Sequence, residues 1–191
     1  AVAYTGNGGS LAVNCGFQPD LIWLKKRSSG TNQDDIMVDS TRGYNYAQSA
    51  VNTNNSFSYP GVSAITSTGV TLGGEANVNG SGVEHVGWFW KANGGSTSSN
   101  SNGDITSTVQ ANTDAGFSIV KWTSNNSSNQ TIGHGLGAIP RFIISKPYST
   151  GNWSWHVFHH YLGSVGDFQL NGYDTFTSGT KEPDFGSHVK K

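Results

Sequence analysis

The sequence contains the same strand-and-turn layout twice. Residues 16–30 open with Gly and Pro, continue through an apolar strand-like centre and close on charged and small turn residues, and residues 137–151 repeat this order without a gap. Because the Gly and Pro punctuation is kept along with the apolar centre, the repeat indicates a duplicated β unit. The identical positions are Gly16, Pro19, Ile22, Lys25, Ser28 and Gly30, which match Gly137, Pro140, Ile143, Lys146, Ser149 and Gly151.

Pattern and composition predict an all-β fold for the 191 residues. No segment carries an apolar stripe with helical spacing, so almost no helix is expected. Short apolar runs alternate with Gly-, Asn- and Ser-rich turns, which is typical of an antiparallel β-sandwich or jelly roll of the concanavalin-like kind. We expect one domain, residues 1–191, built from two repeats at about 1–92 and 105–191 and joined by a Gly/Ser/Asn linker at 93–104.

Several strands can be placed from the sequence. Residues 21–25 are apolar on both faces, with Ile22 and Leu24 on one side and Trp23 on the other, and this predicts a central strand. Residues 2–5 and 11–13 flank a Gly-Asn-Gly-Gly turn and are expected to pair as a hairpin. Further strands are expected at 62–66, 70–72, 84–91, 105–110, 117–122, 141–146 and 153–159.

Charge and cysteine content exclude several classes of protein. The formal net charge is −1 and no large basic patch is visible, so nucleic-acid binding is not expected. No run of apolar residues is long enough to span a membrane as a helix. The single cysteine, Cys15, rules out an internal disulfide, and no cofactor motif is present. The chain begins without Met, which indicates a fragment or processed part of a longer protein.

As a set, four motifs of the first repeat and three of the second resemble a β-rich repeat of bacteriophage proteins. The resemblance is to tail-fibre and other virion-associated proteins of marine phages, especially cyanophages, and it covers most of residues 1–163. It implies a concanavalin-like or jelly-roll sandwich, a role in virion structure or host attachment, and no catalytic residues. The motifs lie at residues 16–29, 39–43, 69–73, 86–92, 116–120, 133–140 and 152–159.

The acidic residues do not form an obvious catalytic pair. A sandwich glycosidase needs two carboxylates a few ångströms apart, and none of the three Glu residues lies two or four positions from another acid on one strand face. Asp35 and Asp39 would share a strand face, but Trp155 and His159 replace them in the second repeat. We therefore expect no enzymatic activity, with a polysaccharide-degrading enzyme as a further alternative.

A histidine cluster and two Asn-rich loops contain residue types that can bind metal ions. On a continuing strand, His156 and His160 would share one face and His159 would take the other, so a metal would need a distant third ligand. Aromatic packing is the favoured interpretation of this cluster. The Asn-rich loops at 52–56 and 77–81 lack paired Asp residues for calcium. No metal site is predicted.

Aromatic residues in loops are the candidates for a ligand site. Flat rings stack on the apolar faces of pyranoses, and amide groups bind sugar hydroxyls. The three tryptophans in strongly apolar runs, Trp23, Trp88 and Trp90, are assigned to the core. The predicted glycan-binding residues are Trp153, Asn152, Tyr44, Tyr46 and Tyr59.

The sequence thus predicts a non-enzymatic phage virion protein at the virion surface or outside the cell. The first hypothesis is a tail-fibre or adhesion domain that binds host surface glycans. The alternative is a structural or decorating virion protein that acts only through contacts with other virion subunits. A missing final strand in the second repeat favours a homo-oligomer, since an unpaired sheet edge invites a neighbour.

Overall fold

A computed structural model of the chain describes residues 1–27, 35–49, 57–58, 60–149, 154–162, 168–169 and 189–190. The protein is nearly all β, and its strands are short, as the turn-rich sequence predicts. In chain order the strands are β1 (Val2–Thr5), β2 (Leu11–Asn14), β3 (Leu21–Lys26), β4 (Ile36–Asp39), β5 (Tyr46–Ser49), β6 (Phe57–Ser58), β7 (Val62–Thr66), β8 (Gly69–Leu72), β9 (Glu84–Trp90), β10 (Ser98–Asn100), β11 (Ser107–Asn112), β12 (Phe117–Lys121), β13 (Ile132–Gly133), β14 (Phe142–Ser145), β15 (His156–His159), β16 (Phe168–Gln169) and β17 (Val189–Lys190).

Helix is confined to two short segments within the described ranges. The α-helix α1 spans Ala76–Asn79, and a 3₁₀ turn spans His160–Leu162. The prediction of almost no helix is therefore confirmed. Neither segment is long and apolar enough to cross a membrane.

The strand β3 lies inside a six-stranded sheet with the order β1-β9-β3-β4-β5-β6. Both of its neighbours run antiparallel to it, and Leu21 pairs with Trp90 of β9 and with Asp39 of β4. Ile22 and Leu24 are fully buried on one face of this strand. The prediction of a central strand is confirmed, because β3 is paired along both edges and covered by apolar neighbours.

A three-stranded sheet, β2-β8-β7, covers one face of the six-stranded sheet. Val13, Val70 and Leu72 from the smaller sheet meet Ile22 and Val38 from the larger one in a single buried cluster. Full burial of an aliphatic side chain of this size contributes about 1.5–3 kcal/mol, so this cluster is the main apolar core. The strands predicted at 62–66 and 70–72 are present as β7 and β8, and they pair antiparallel with each other.

The predicted hairpin between β1 and β2 is wrong. The strand β1 pairs with β9, whereas β2 pairs with β8 in the other sheet. The loop between them crosses from one sheet to the other and is held by the buried Asn79, whose amide donates to Gly9 O at 2.6 Å and Gly73 O at 2.8 Å. With β1 and β2 in different layers, both Val2 and Leu11 pack against the main core cluster.

The second half of the chain covers the other face of the six-stranded sheet. It forms antiparallel sheets with the orders β10-β11-β12 and β14-β15-β16, while β13 pairs in parallel with β17. Trp155 and Ile144 from this half pack against Met37 and Trp23. The six-stranded sheet therefore lies between two β layers, and the architecture is all-β and sandwich-like.

The strands β14 and β15 pair in the same register as β3 and β4. Leu21 pairs with Asp39, and the residues that match them in the sequence repeat, Phe142 and His159, also pair with each other. The repeated sequence therefore corresponds to two strand pairs of equal register.

Residues 93–104, predicted as a linker, contain β10 and a turn built around Asp20. The Asp20 side chain is fully buried. Its carboxylate accepts hydrogen bonds from the amides of Ala92, Gly94 and Gly95, at 2.7, 2.9 and 2.7 Å, and from the Ser40 hydroxyl at 2.9 Å. Because each carboxylate oxygen has its donors, this turn attaches the second half of the chain to the start of β3.

Candidate functional site

Four rings form a cluster at one end of the β14–β15 pair, two of them exposed and two half-buried. We call this cluster the aromatic patch, and it consists of Phe142, His159, His160 and Tyr161. Among the described residues, Tyr161 and Phe142 are two of the three large hydrophobic side chains that are strongly exposed, at 83% and 56%. Exposed aromatic surface of this kind marks interaction sites more often than a single exposed aliphatic residue does.

The rings of the aromatic patch contact one another closely. Phe142 and His159 lie directly opposite each other on paired strands and meet edge to face, with ring centroids 6.3 Å apart. The Tyr161 ring is stacked against His159 at 5.5 Å and lies 4.0 Å from His160. Aromatic rings at these separations support one another, so the patch offers a broad, preformed surface.

A 3₁₀ turn at the end of β15 brings the consecutive rings together. The strand ends at His159, and the His160 amide donates to Arg141 O at 2.9 Å. The predicted alternation, with His156 and His160 on one face and His159 on the other, does not apply because His160 lies beyond the strand. The rings of His159 and His160 are instead neighbours, with centroids 4.8 Å apart.

The stretch of sequence that carries the aromatic patch has no acidic residue. No Asp or Glu occurs between Asp114 and Asp167, whereas this stretch carries Lys121, Arg141 and Lys146. Arg141 is exposed and directly precedes Phe142. The local sequence therefore combines aromatic rings with positive charge.

Trp155 fills the interface between the two halves of the protein. Only 8% of its surface is exposed, and it packs against Met37 and Trp23. The Lys146 ammonium lies 5.4 Å from the centre of the Trp155 ring, a cation–π contact, and burial lowers the pKa of Lys146. Trp155 is thus a packing residue and is not exposed to a ligand.

The glycan-binding residues predicted from the sequence are only partly described. Tyr44 is half-buried against the main core cluster, and its hydroxyl donates to Pro19 O at 2.7 Å. Burial is the main cause that raises the pKa of Tyr44. The backbone of Tyr46 lies in β5, but its side chain is outside the described part, as are Asn152, Trp153 and Tyr59. A ligand-binding role for these five residues stays a prediction.

The tryptophans assigned to the core lie on the side of the six-stranded sheet that the second half covers. Trp23 and Trp88 pack at a ring separation of 5.6 Å, and Trp90 stacks on Phe117 at 6.3 Å. All three tryptophans are half-buried. Their surface is used for packing between layers.

Asp35 and Asp39 each form an ion pair with a basic side chain of the protein. Asp35 accepts a hydrogen bond from Trp23 Nε1 at 3.0 Å and pairs with Lys25 Nζ at 2.5 Å. Asp39 pairs with Arg42 Nε, and both of these side chains are about nine-tenths buried. Both carboxylates are thus engaged by side chains of the protein itself, and neither is free to form the catalytic pair of a glycosidase.

The described residues contain no group of three or more His, Cys, Asp or Glu side chains that could hold a metal ion. In the Asn-rich loop 77–81, the Asn79 side chain is fully used, since it bonds Asn7 as well as backbone oxygens. The loop at 52–56 lies outside the described residues.

Two histidines, His85 and His134, are buried away from the aromatic patch. His85 is fully buried, neither ring nitrogen bonds another described residue, and the Tyr4 ring stacks on it at 5.3 Å. Burial, and secondly the charge of Lys26, lowers the pKa of His85. His134 is 5% exposed, and burial lowers its pKa as well. Both rings are therefore kept neutral near pH 7.

The sequence pattern does not predict the aromatic patch, because it places Phe142 in an apolar strand and gives no separate signal for Tyr161. A signal was nevertheless present, since three ring-bearing residues, His159, His160 and Tyr161, follow one another at the end of a predicted strand.

The fold and the site define an all-β, sandwich-like protein with an exposed aromatic patch at the end of one strand pair. The chain belongs to the family of a domain of unknown function, DUF7483, whose model matches residues 1–186. Comparison with curated proteins and with solved structures gave no match.

Proposed function

We propose that this protein is a non-enzymatic bacteriophage virion domain that binds host surface glycans through the aromatic patch. The observation that carries the proposal is the exposure of Tyr161 and Phe142 in a cluster of mutually supporting rings. A protein gains nothing in folding stability from leaving such rings in water, whereas a pyranose face stacked on them would bury them. The virion assignment itself rests on the sequence resemblance.

The non-enzymatic part of the proposal is supported by the state of the acids. Asp20, Asp35 and Asp39 are hydrogen-bonded or ion-paired, as described above, and none of them lies in the aromatic patch. Glu75 is half-buried, Glu84 is exposed, and both belong to the first half of the chain. A binding site without a pair of free carboxylates can hold a saccharide but lacks the groups that hydrolyse it.

The duplicated architecture is also part of the proposal, as a concanavalin-like or jelly-roll sandwich of two related units. Equal strand register in β3–β4 and β14–β15 supports it. In the repeat, Ser40 and Thr41 match His160 and Tyr161. The Gln110 amide donates to the hydroxyls of Ser40 and Thr41, at 2.7 and 2.8 Å, so in the first unit this corner is covered. In the second unit the same corner is exposed and carries rings.

This same comparison supports a second candidate function, a structural or decorating virion protein. If the corner of the first unit is a docking place for β11, the corner of the second unit can dock a neighbouring subunit. In that case a homo-oligomer or a complex with another virion protein covers Tyr161. Because His160 and Tyr161 replace Ser40 and Thr41, the corner of the second unit suits a ligand with an apolar face better than a polar side chain such as Gln110. We therefore rank glycan binding first.

A glycan array separates the two candidates. The wild-type chain is compared with Tyr161→Ala, with Tyr161→Phe, which keeps the ring, and with Trp153→Ala, which tests the sequence-predicted site. Ser67→Ala, an exposed residue of the β7–β8 turn, serves as the control. We expect glycan binding that is lost in Tyr161→Ala and kept in Tyr161→Phe and Ser67→Ala.

Other outcomes identify what is wrong with the proposal. Binding lost only in Trp153→Ala moves the site to the sequence-predicted residues. Absence of any glycan binding, together with a sedimentation velocity pattern in which Tyr161→Ala dissociates an oligomer, favours the structural function. Release of reducing sugar from a bound polysaccharide would overturn the non-enzymatic assignment.

A further inference from the structure

We infer that the ligand of the aromatic patch is an acidic saccharide, with its sugar ring stacked on Tyr161 and its carboxylate bound by Arg141. This inference rests on the proposed glycan-binding function and deepens it by naming the class of ligand. It is carried by the position, exposure and lack of partners of one arginine, and by the distribution of acidic residues along the chain.

Arg141 is fixed next to the aromatic patch by its backbone. It directly precedes Phe142, and its carbonyl oxygen accepts the 2.9 Å hydrogen bond from the His160 amide. Phe142, which follows Arg141 in the chain, and His160, which bonds its backbone, both belong to the patch. The Arg141 guanidinium is therefore attached one position before Phe142 and at the backbone partner of His160.

The Arg141 side chain is exposed and makes no hydrogen bond or ion pair with any residue that the structure describes. Arg42 shows the opposite arrangement, because its guanidinium is buried and paired with Asp39. A guanidinium presents a planar fork of N–H donors that matches the planar carboxylate of a uronic acid. Arg141 is thus available for the type of bond that Arg42 makes within the protein.

The strands and the 3₁₀ turn that build the patch carry basic residues and no acidic residue. The stretch from residue 115 to residue 166 contains β12 to β15 and the 3₁₀ turn, and it has no Asp or Glu. An acidic saccharide therefore meets no carboxylate from the elements that build the patch. A pyranose that carries a carboxylate offers both an apolar ring face and an anionic edge, which are the two features that this surface complements.

Matched pairs of saccharides test the inference, since they differ in charge and not in ring structure. The probes are oligosaccharides of galacturonan and of alginate, each as the free acid and as its methyl ester. Binding to the immobilised full chain is measured at about 50 mM and about 500 mM NaCl. A charge-assisted hydrogen bond contributes about 1.5–3 kcal/mol, so the acid of at least one pair is expected to bind roughly tenfold more tightly than its ester at low salt. This difference should shrink at high salt.

Variants of Arg141 connect this preference to the residue. Arg141→Gln is expected to remove the difference between acid and ester while leaving ester binding, and Arg141→Lys, which keeps the charge without the fork, is expected to keep part of it. Tyr161→Ala should weaken binding of acid and ester alike. Ser67→Ala should leave both unchanged.

The binding results distinguish an error in the class of ligand from an error in the proposed glycan-binding function. Equal affinity for acid and ester in every pair, or an acid preference that survives in Arg141→Gln, overturns the inference while glycan binding stands. Absence of binding to these probes and to the glycan array overturns the proposed function together with the inference. Circular dichroism of each variant shows that its fold is intact.

Discussion

The amide nitrogen of Gly95 lies 2.7 Å from the carboxylate of Asp20, to which it donates a hydrogen bond across 75 positions of the chain. Asp20 is at the start of the central strand, and Gly95 is at the start of the second half. The Gln110 carbonyl accepts a bond from the same Gly95 amide at 3.1 Å. One buried carboxylate thus connects the two halves whose packing places the aromatic patch.

Replacing Asp20 by Asn should destabilise the protein strongly. The Asp20 carboxylate accepts from four donors, and an Asn side chain would present N–H groups to some of them. Leaving buried donors unsatisfied costs about 1–3 kcal/mol each, so we expect a loss of about 3 kcal/mol in the free energy of unfolding. Urea unfolding of Asp20→Asn beside Asp114→Asn, an exposed control, measures this. If the two variants are equally stable, the hydrogen bonds accepted by Asp20 do not contribute to the stability of the fold.

The rings of the aromatic patch should matter little for stability. Tyr161 is 83% exposed, so Tyr161→Ala is expected to change the free energy of unfolding by less than about 0.5 kcal/mol. Trp155→Ala, at the buried interface, is expected to cost about 3–5 kcal/mol. Thermal and urea unfolding of the two variants give the comparison. A large loss of stability in Tyr161→Ala would mean that this ring supports the fold and is not reserved for a ligand.

Stability should fall when the pH drops below about 6.5, the ordinary pKa of histidine. Burial lowers the pKa of His85 and His134 in the folded protein, so the unfolded chain binds protons more readily than the folded chain over this range. The stability is therefore fully present above about pH 6.5 and decreases as the pH falls toward the lowered folded values. Urea unfolding between about pH 5 and 8 tests this.

His85→Phe provides the matched variant for the pH experiment. Phe keeps a ring against Tyr4 and does not titrate, so part of the pH dependence should disappear. If His85→Phe has the same pH profile as the wild type, the lowered pKa of His85 is not the cause of the acid sensitivity.

Tyr44 can be tested separately from the aromatic patch. Tyr44→Phe removes the 2.7 Å hydrogen bond to Pro19 O and should cost about 1 kcal/mol in the free energy of unfolding. Tyr148→Phe is the control, because the Tyr148 hydroxyl has no hydrogen bond to a described residue. We expect Tyr44→Phe to bind glycans as the wild type does. Weakened binding with unchanged stability would return Tyr44 to the ligand site, as the sequence suggested.

Strands with strong local signals could be predicted from the sequence. The apolar alternation around Ile22 and Leu24 identified the central strand, and the strands predicted at 62–66 and 70–72 correspond to β7 and β8. The pairing of β1 could not be predicted, because its partner β9 is distant in the sequence and the Gly-rich turn after Thr5 resembles a hairpin turn. Val2 and Leu11 both pack against the main core in the observed pairing, and a local sequence pattern does not show which distant strands meet there.

The candidate site was less predictable than the fold. Exposure of Phe142 depends on which elements cover the end of β14, and this is a property of the packed structure. The neighbouring positions of His159 and His160 depend on where β15 ends, since one more strand residue would have turned the two rings to opposite faces. Strand ends are the features that sequence patterns place least well.

The most direct test of glycan binding by the aromatic patch is an NMR titration that follows the ring carbon–proton signals of Tyr161 and Phe142. The titrant is the saccharide that binds most tightly in the array or among the acidic oligosaccharides. We predict saturable shifts of both ring signals, with the ring signals of Tyr44 unmoved. Ring signals of Tyr161 and Phe142 that stay in place while the saccharide saturates the protein, or the absence of any saccharide that binds, would contradict the account.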